Sequence, residues 1–215
     1  MMSPIQLLCG GAALSIAGIA SANIYTGPGG PIPDGAPGVP GVAMFTINVA
    51  DAGTVGTFNN LTLTSFSHTW CGDVKITLTL PDLTVISIVD RIGVPTTPSG
   101  DSSNYLGTYK FADSGFTPLV DGNIWSEAAL GTTNYNLRSG TYAASGVGSG
   151  AQINLNALIA GKNITGDWKL TISDAAAFDV GTLASWSLDF GVIPAPGVVA
   201  LFGLVGLVGG RRRVR

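Results

Sequence analysis

The sequence predicts an all-β protein, built as a β-sandwich or barrel, and three observations lead to this prediction. Apolar and polar residues alternate over short segments, which is the period of a half-buried strand. Clusters of Gly, Pro, Asn and Asp separate these segments, as is typical of turns. Of the 13 acidic residues, 12 are Asp and one is Glu, and Asp favours turns whereas Glu favours helices. Seven or more short strands divided in this way form a sandwich or a barrel.

The clearest alternation runs over residues 74–80, where every second residue is apolar. A Pro-Asp pair at 81–82 predicts a turn, after which the β-branched run 84–89 returns antiparallel. Trp168 and Trp186 fall on the apolar faces of two further strands, which predicts that both are core residues. The other predicted strands are 46–49, 61–66, 105–111, 168–173 and 185–190.

The composition is apolar and poorly charged for a chain of 215 residues. Hydrophobic residues make up 46% and charged residues 11%, against about 25% charged in ordinary domains, and the mean hydropathy is +0.41. Between positions 23 and 190 there are 6 basic and 13 acidic residues. Nucleic acids are bound by basic faces, so this acidic body predicts no nucleic-acid partner.

The N-terminal segment predicts export. Residues 2–22 carry no charge and end in Ala20-Ser21-Ala22, an arrangement suited to signal peptidase, although no basic residue stands near Met1. We therefore interpret 1–22 as a signal peptide. Its removal leaves Cys71 as the only cysteine, which excludes an intramolecular disulfide. The Pro- and Gly-rich residues 23–41 predict a surface arm that does not join a β-ladder.

The C-terminal residues 191–215 predict a membrane-sorting segment. Residues 197–210 are apolar and span about 21 Å as a helix, followed by the basic tail 211–215. This order suits a short transmembrane stop-transfer element with its C-terminus in the cytoplasm. The three parts resemble a PEP-CTERM signal, in which a Pro-containing tripeptide, a transmembrane segment and a basic tail direct a secreted protein to an exosortase-type enzyme. The matching residues are Pro194, Ala195, Pro196, Arg211, Arg212 and Arg213, with Ala195 replacing the usual Glu.

The order of short motifs between positions 32 and 190 resembles the P domain of proprotein convertases. Most specific are Ser67-His68-Thr69-Trp70-Cys71-Gly72-Asp73-Val74 and Gly166-Asp167-Trp168-Lys169-Leu170. The other matching residues are Ile32-Pro33-Asp34-Gly35, Ile76-Thr77-Leu78, Pro81-Asp82, Arg91-Ile92-Gly93, Phe111-Ala112-Asp113, Gly140-Thr141-Tyr142, Gly181-Thr182-Leu183 and Trp186-Ser187-Leu188. The resemblance implies a jelly-roll β-sandwich, here over 42–190. Leu83 departs from it, because the family usually has Gly after Pro-Asp.

The residues do not point to an enzyme. His68 is the only histidine, so any Ser-His-Asp device depends on it, and a triad is defined by geometry rather than by neighbours in sequence. No Gly-x-Ser-x-Gly elbow surrounds a serine. The resemblance places His68 in a structural signature, which predicts that its ring bonds to backbone.

Calcium is the metal that the residue types favour. One histidine and one mature cysteine are too few for an ordinary zinc site, whereas calcium takes oxygen ligands from carboxylates and carbonyls. Some bacterial P domains are stabilised by calcium, and the resemblance selects Asp73, Asp113, Asp174 and Asp179. The alternative is that these aspartates form turns on the surface.

Aromatic residues outside the regular strands are the candidates for ligand binding. Jelly rolls often serve as lectins, and exposed aromatic rings stack on sugars. Trp70, Trp125 and Tyr135 lie in irregular segments, where either exposure or packing against the core is open.

These observations predict a secreted, non-enzymatic protein that acts as a structural or adhesive component of the cell envelope or of an exopolysaccharide matrix. Its expected partners are an exosortase-type enzyme, extracellular polysaccharide and, through the C-terminal segment, the membrane. Two alternatives remain open: a calcium-assisted carbohydrate-binding module, and an accessory domain that serves a secreted serine protease in trans.

Overall fold

A computed structural model describes residues 21–36, 38–94 and 96–195. Within them the chain forms strands with two short helices, α1 (Ile124–Ala128) and α2 (Leu155–Ile159), and a 3-10 turn at Cys71–Asp73. The strands are β1 (Ser21–Ile32), β2 (Gly41–Val49), β3 (Gly53–His68), β4 (Val74–Thr79), β5 (Val85–Asp90), β6 (Asn104–Phe111), β7 (Asn136–Leu137), β8 (Gly140–Tyr142), β9 (Ala144–Ser145), β10 (Gln152–Ile153), β11 (Gly166–Asp174) and β12 (Gly181–Pro194).

The long strands form two sheets. The six-stranded sheet has the order β1-β12-β3-β6-β7, with β8 also paired to β6, and the four-stranded sheet has the order β2-β11-β4-β5. Counted over the eight long strands alone, these orders are 1-8-3-6 and 2-7-4-5, because β11 and β12 are the seventh and eighth. This is the strand order of a jelly roll, and the predicted all-β sandwich is confirmed.

The strands predicted from alternation are present. The hairpin joins β4 to β5 in antiparallel register, and β11 lies between β2 and β4. Trp168 of β11 and Trp186 of β12 are fully buried, as predicted, in the core between the two sheets. The period of two therefore identified both the strands and the face of each strand that packs inward.

The predicted surface arm at 23–41 is wrong over its first part. Residues 21–32 form β1, which pairs antiparallel with β12, with Pro28 opposite Ser185 and Pro31 opposite Thr182. Proline has no backbone N–H to donate, which is unfavourable in a central strand because both of its sides are paired. β1 is an edge strand and pairs on one side only. The prolines are therefore compatible with a ladder here.

The predicted sorting segment 191–215 overlaps the sheet at its start. β12 continues to Pro194, and Gly191 and Val192 pair with both β1 and β3. Pro196, the proposed transmembrane residues 197–210 and Arg211, Arg212 and Arg213 lie outside the described residues, as do residues 1–20 of the predicted signal peptide. None of the helices in the described part of the chain has the length and apolar character needed to span a membrane.

An ionic cluster around the buried Glu127 carboxylate fixes α1 to the segment before β8. The Glu127 side chain has no exposed surface, and it accepts hydrogen bonds from Arg138 Nε (2.7 Å) and Nη2 (2.6 Å). The Tyr135 hydroxyl donates to the same carboxylate at 2.8 Å. A buried carboxylate is stable only when it is paired in this way. The cluster therefore holds α1, and with it Trp125, at a defined position.

The β4–β5 turn contains a strained residue, Leu83, at the position where the sequence departs from the P-domain pattern. Leu83 has φ 67, its N–H donates to the Leu80 carbonyl at 2.9 Å, and its side chain is 76% exposed. A left-handed backbone costs an ordinary L residue roughly 1–2 kcal/mol, and glycine avoids this cost.

We expect Leu83→Gly to stabilise the fold by about 0.5–1 kcal/mol, since part of the relief is offset by the greater freedom of glycine in the unfolded chain. The measurement is urea unfolding of both proteins. Leu83→Ala is the matched control, because alanine removes the exposed side chain but keeps the Cβ that causes the strain. Equal stability of the glycine and alanine variants would contradict this account.

Glu127→Gln should lower the free energy of unfolding by about 2 kcal/mol near neutral pH, the size of a hydrogen bond to a charged group. Hydrogen bonds from Arg138 lower the pKa of Glu127 from its ordinary value of 4.5. A lowered pKa stabilises the fold above the unfolded value, and this stabilisation is lost as the pH falls through the folded value. The difference between wild type and variant should therefore shrink below about pH 4.5, measured by denaturant unfolding at several pH values. A difference that stays constant on acidification would contradict it.

Candidate functional site: an aromatic groove at one end of the sandwich

A cleft lies where the loop between β5 and β6 crosses the 3-10 turn. The turn is held by two backbone bonds, from Cys71 N–H to the Ser103 carbonyl (2.6 Å) and from Gly72 N–H to the Asp101 carbonyl (3.0 Å). Gly72 and Gly100 make the crossing close, because a Cβ on Gly100 would stand 2.5 Å from the Cα of Gly72. Two glycines are therefore needed for the loop to lie on the turn.

This first cleft has a volume of about 470 Å³. Trp70 and Trp125 both line it, together with Thr97 and Asp101 of the β5–β6 loop. Each tryptophan is partly buried. Two of the three aromatic residues selected from the sequence are thus brought to one concave surface, which also carries hydroxyl and carboxylate groups.

Trp70 is held in a strained backbone conformation by its hydrogen bonds. Its φ is 66 and ψ 83, a left-handed conformation. The indole Nε1–H donates to the Ser99 carbonyl at 2.6 Å, and the backbone N–H donates to Asn104 Oδ1 at 3.2 Å. Bulky residues rarely adopt this conformation, and they keep it only where surrounding contacts impose it.

Trp70 also lines a second cleft, of about 520 Å³. Ser99 is shared between the two clefts, and the second adds Asp73, Arg91, Phe178 and Asp179. We call the two clefts together the aromatic groove, defined by Trp125, Trp70 and Phe178 along its length. Trp70 is at its middle, since it is the aromatic residue that lines both clefts.

Phe178 projects from the loop between β11 and β12. Its side chain is 97% exposed and its φ is 82. The loop is anchored on both sides of it, by Ala176 N–H donating to Asp174 Oδ1 (3.1 Å) and by Phe178 N–H donating to Asp34 Oδ2 (3.2 Å). The hydrogen bonds therefore fix the loop in a conformation that exposes the aromatic ring of Phe178 to solvent.

The sequence reasoning missed Phe178. The sequence does contain a signal for Phe178: it is an aromatic residue in the short turn between two predicted strands, where no strand partner can bury it. Arg91 was noted within a motif but given no role. Its guanidinium donates to the Gly72 carbonyl (Nε, 3.0 Å) and to Asp73 Oδ1 (Nη2, 3.4 Å), which ties the β5–β6 loop to the 3-10 turn.

Tyr135 does not reach the groove. Its hydroxyl donates to the buried Glu127 carboxylate, and its ring packs against the core. Of the two alternatives for Tyr135, exposure and packing against the core, the structure shows packing against the core.

His68 lies inside the sandwich and contacts backbone, as predicted. Its Nδ1 is in hydrogen-bond contact with the Thr69 carbonyl, and its Nε2 is 3.4 Å from Asp174 Oδ2, outside hydrogen-bond geometry. Both side chains are fully buried. The ring joins the end of β3 to the end of β11 and does not open onto the aromatic groove.

The four aspartates selected for calcium are not brought together. Asp113 lies elsewhere and accepts hydrogen bonds from the N–H groups of Leu155 (2.8 Å) and Asn156 (2.7 Å) at the start of α2. Asp73, Asp174 and Asp179 share one end of the sandwich, where burial and then the Asp174 charge raise the pKa of Asp73. Within the described ranges, no group of three or more His, Cys, Asp or Glu side chains is arranged to hold a metal ion. The calcium prediction therefore has no support among the described residues, and Asp73 and Asp174 are buried rather than on the surface.

Comparison with known proteins relates part of the chain to one family. A chain in the crystal structure of the Aeromonas sobria serine protease and chaperone complex aligns at 16% identity with a TM-score of 0.39, and the alignment covers 80% of this chain and 28% of that chain. No curated protein matches the sequence. Residues 149–190 match the family described as the proprotein convertase P-domain. Over residues 149–190, the chain is P-domain-like.

Proposed function

We propose that this protein is a non-enzymatic, adhesive component of the cell surface or of an exopolysaccharide matrix, and that it binds a glycan along the aromatic groove. The observation that carries this proposal is the position of Trp70, which lines both clefts between Trp125 and Phe178. An elongated groove with several aromatic surfaces suits a chain of linked rings better than a single compact ligand.

The chemistry of the groove is suited to sugar. A pyranose ring presents a C–H face that packs on an aromatic ring, and hydroxyl groups that need hydrogen-bond partners. The groove offers the rings of Trp70 and Phe178 for the first contact. For the second it offers Thr97, Asp101 and Asp179, whose side chains are hydroxyls and carboxylates.

The charge of the groove favours a neutral polysaccharide. Three of its lining residues are acidic, Asp73, Asp101 and Asp179, and its one arginine, Arg91, is already hydrogen-bonded to Asp73. A polyanionic glycan would meet like charges without a free cation in the described lining. Neutral glucans or chitin-like chains meet no such penalty.

The burial of His68 supports a non-enzymatic role. His68 is the only histidine in the chain, and its side chain has no exposed surface. A general base must reach a substrate within hydrogen-bond distance, which a ring enclosed between two sheets does not do. Cys71 is likewise buried, and burial raises the pKa of its thiol, which disfavours a thiolate nucleophile.

Export and surface sorting are part of the proposal and rest on the sequence. The apolar segment that ends at Ala20-Ser21-Ala22 supports a signal peptide. Pro194, Ala195 and Pro196, followed by an apolar segment and Arg211, Arg212 and Arg213, support recognition by an exosortase-type enzyme with at least transient membrane anchoring. A matrix-exposed groove is consistent with that destination.

The test is retention of the protein on insoluble neutral polysaccharides, cellulose and chitin, compared with an anionic one, alginate. We expect retention on a neutral matrix and little on alginate. Phe178→Ala and Trp70→Ala should each weaken binding about tenfold, equivalent to about 1.4 kcal/mol, because each removes one stacking surface.

Val120→Ala is the matched control for Phe178→Ala, since both side chains are 97% exposed and Val120 does not line the groove. Phe178→Ala keeps the test meaningful if Trp70→Ala proves unstable, because an exposed side chain contributes little to the core. Absence of retention on both neutral matrices, or retention that Phe178→Ala leaves unchanged, would overturn glycan binding in this groove.

A further inference from the structure

The two sheets have exposed edges, and most of them carry a feature that prevents pairing with another chain. β1 contains Pro28 and Pro31. The opposite edge of the six-stranded sheet ends in β7 and β8, which are two and three residues long. β5 has a register irregularity and ends in Asp90, whose carboxylate accepts a hydrogen bond from Gly148 N–H. Prolines, short strands, bulges and charges are the devices by which sheet edges avoid association.

β2 is the edge strand that has none of these devices. Its nine residues, Gly41–Val49, include no proline and no charged side chain. Its register with β11 is continuous, from Gly41 opposite Asp174 to Val49 opposite Gly166. In the described part of the chain, no other backbone group hydrogen-bonds to β2, so every second residue directs its N–H and C=O away from the sheet.

Two of the four outward-facing side chains of β2 are apolar. Val42 is 50% exposed and Met44 is 59% exposed, followed by the exposed Thr46 and Asn48. The inward-facing Phe45 is partly buried and lies against Gly30 of β1. The ring of Phe45 therefore belongs to the sandwich, whereas the outer backbone edge of β2 has no hydrogen-bond partner among the described residues.

We propose that β2 is a self-association edge, at which two copies of this chain pair antiparallel to join their four-stranded sheets into one of eight strands. A two-fold contact requires a strand that is complementary to itself. The register that uses all nine residues places Phe45 opposite its own copy, Met44 opposite Thr46, and Val42 opposite Asn48. No like charges meet in this register, because β2 has no charged residue.

This assembly extends the proposed function without depending on it. The aromatic groove is formed by the β5–β6 loop, Trp70, Trp125 and Phe178, and no residue of β2 lines it. A matrix component gains avidity when two glycan grooves are joined in one particle. Failure of glycan binding would leave the pairing of β2 intact, and the reverse also holds.

The experiment measures the mass of the full chain in detergent solution by sedimentation over a wide range of protein concentration. We expect a concentration-dependent dimer. Met44→Glu should raise its dissociation constant about tenfold, because the two glutamates of the pair then lie diagonally across the contact and repel. Thr46→Lys should act in the same way.

The double variant, Met44→Glu with Thr46→Lys, tests the register. It places each glutamate opposite a lysine of the other copy, so the dissociation constant should return to within about threefold of wild type. Val85→Glu is the matched control, since Val85 is 62% exposed on the other edge strand of the same sheet, and it should leave the dimer unchanged. A monomeric wild type, a dimer insensitive to Met44→Glu, or a double variant that stays dissociated would each overturn the proposal.

Discussion

The buried carboxylate of Asp174 makes contacts that link the two sheets at one end of the sandwich. Asp174 ends β11, and its Oδ2 lies 3.4 Å from Nε2 of His68, which ends β3 in the opposite sheet. The same carboxylate accepts hydrogen bonds from Gly35 N–H, before β2, and from Ala176 N–H, after β11. Because the group is fully buried, water cannot replace these partners. The two sheets and two connections are therefore fixed at one point.

The aromatic groove lies at the same end. Trp70 comes two residues after His68, and Phe178 comes three residues before Gly181, which pairs with His68 in the β3–β12 ladder. The Thr69 N–H also donates to the Val180 carbonyl at 3.4 Å, so backbone pairing brings the two aromatic residues to the same end of the sandwich. Both adopt left-handed backbone conformations, which cost roughly 1–2 kcal/mol each for ordinary residues. Such conformations persist where neighbouring contacts over-determine them, and they concentrate at sites that bind or switch.

The sequence predicted most of the sandwich because alternation reports directly on burial. In β4 every second residue is apolar and lies in the core, and the same alternation holds over 168–172 of β11 and 186–190 of β12. The prediction was wrong for β1 because of its prolines. Prolines are incompatible with a central strand, which pairs on both sides, but they are tolerated in an edge strand, which pairs on one side only. At the site, Trp70 and Trp125 were identified as aromatic residues outside any alternating segment. The placement of Trp70 and Phe178 at one groove was not predictable, since it arises from the long-range pairing of the end of β3 with the start of β12.

The abundance of Asp over Glu has a structural origin in the turns. The carboxylates of four aspartates accept a hydrogen bond from the backbone N–H two residues further along, at Asp82, Asp101, Asp121 and Asp174. Only a short side chain closes such a turn, so the loops require Asp rather than Glu.

These four carboxylates each close a separate turn. The lone Glu127 instead binds the side chains of Arg138 and Tyr135 from within α1. Four of the 13 acidic residues are therefore accounted for by how the loops are closed. Because Asp101 closes such a turn and lines the groove at the same time, a residue suited to its turn also contributes a negative charge to the groove.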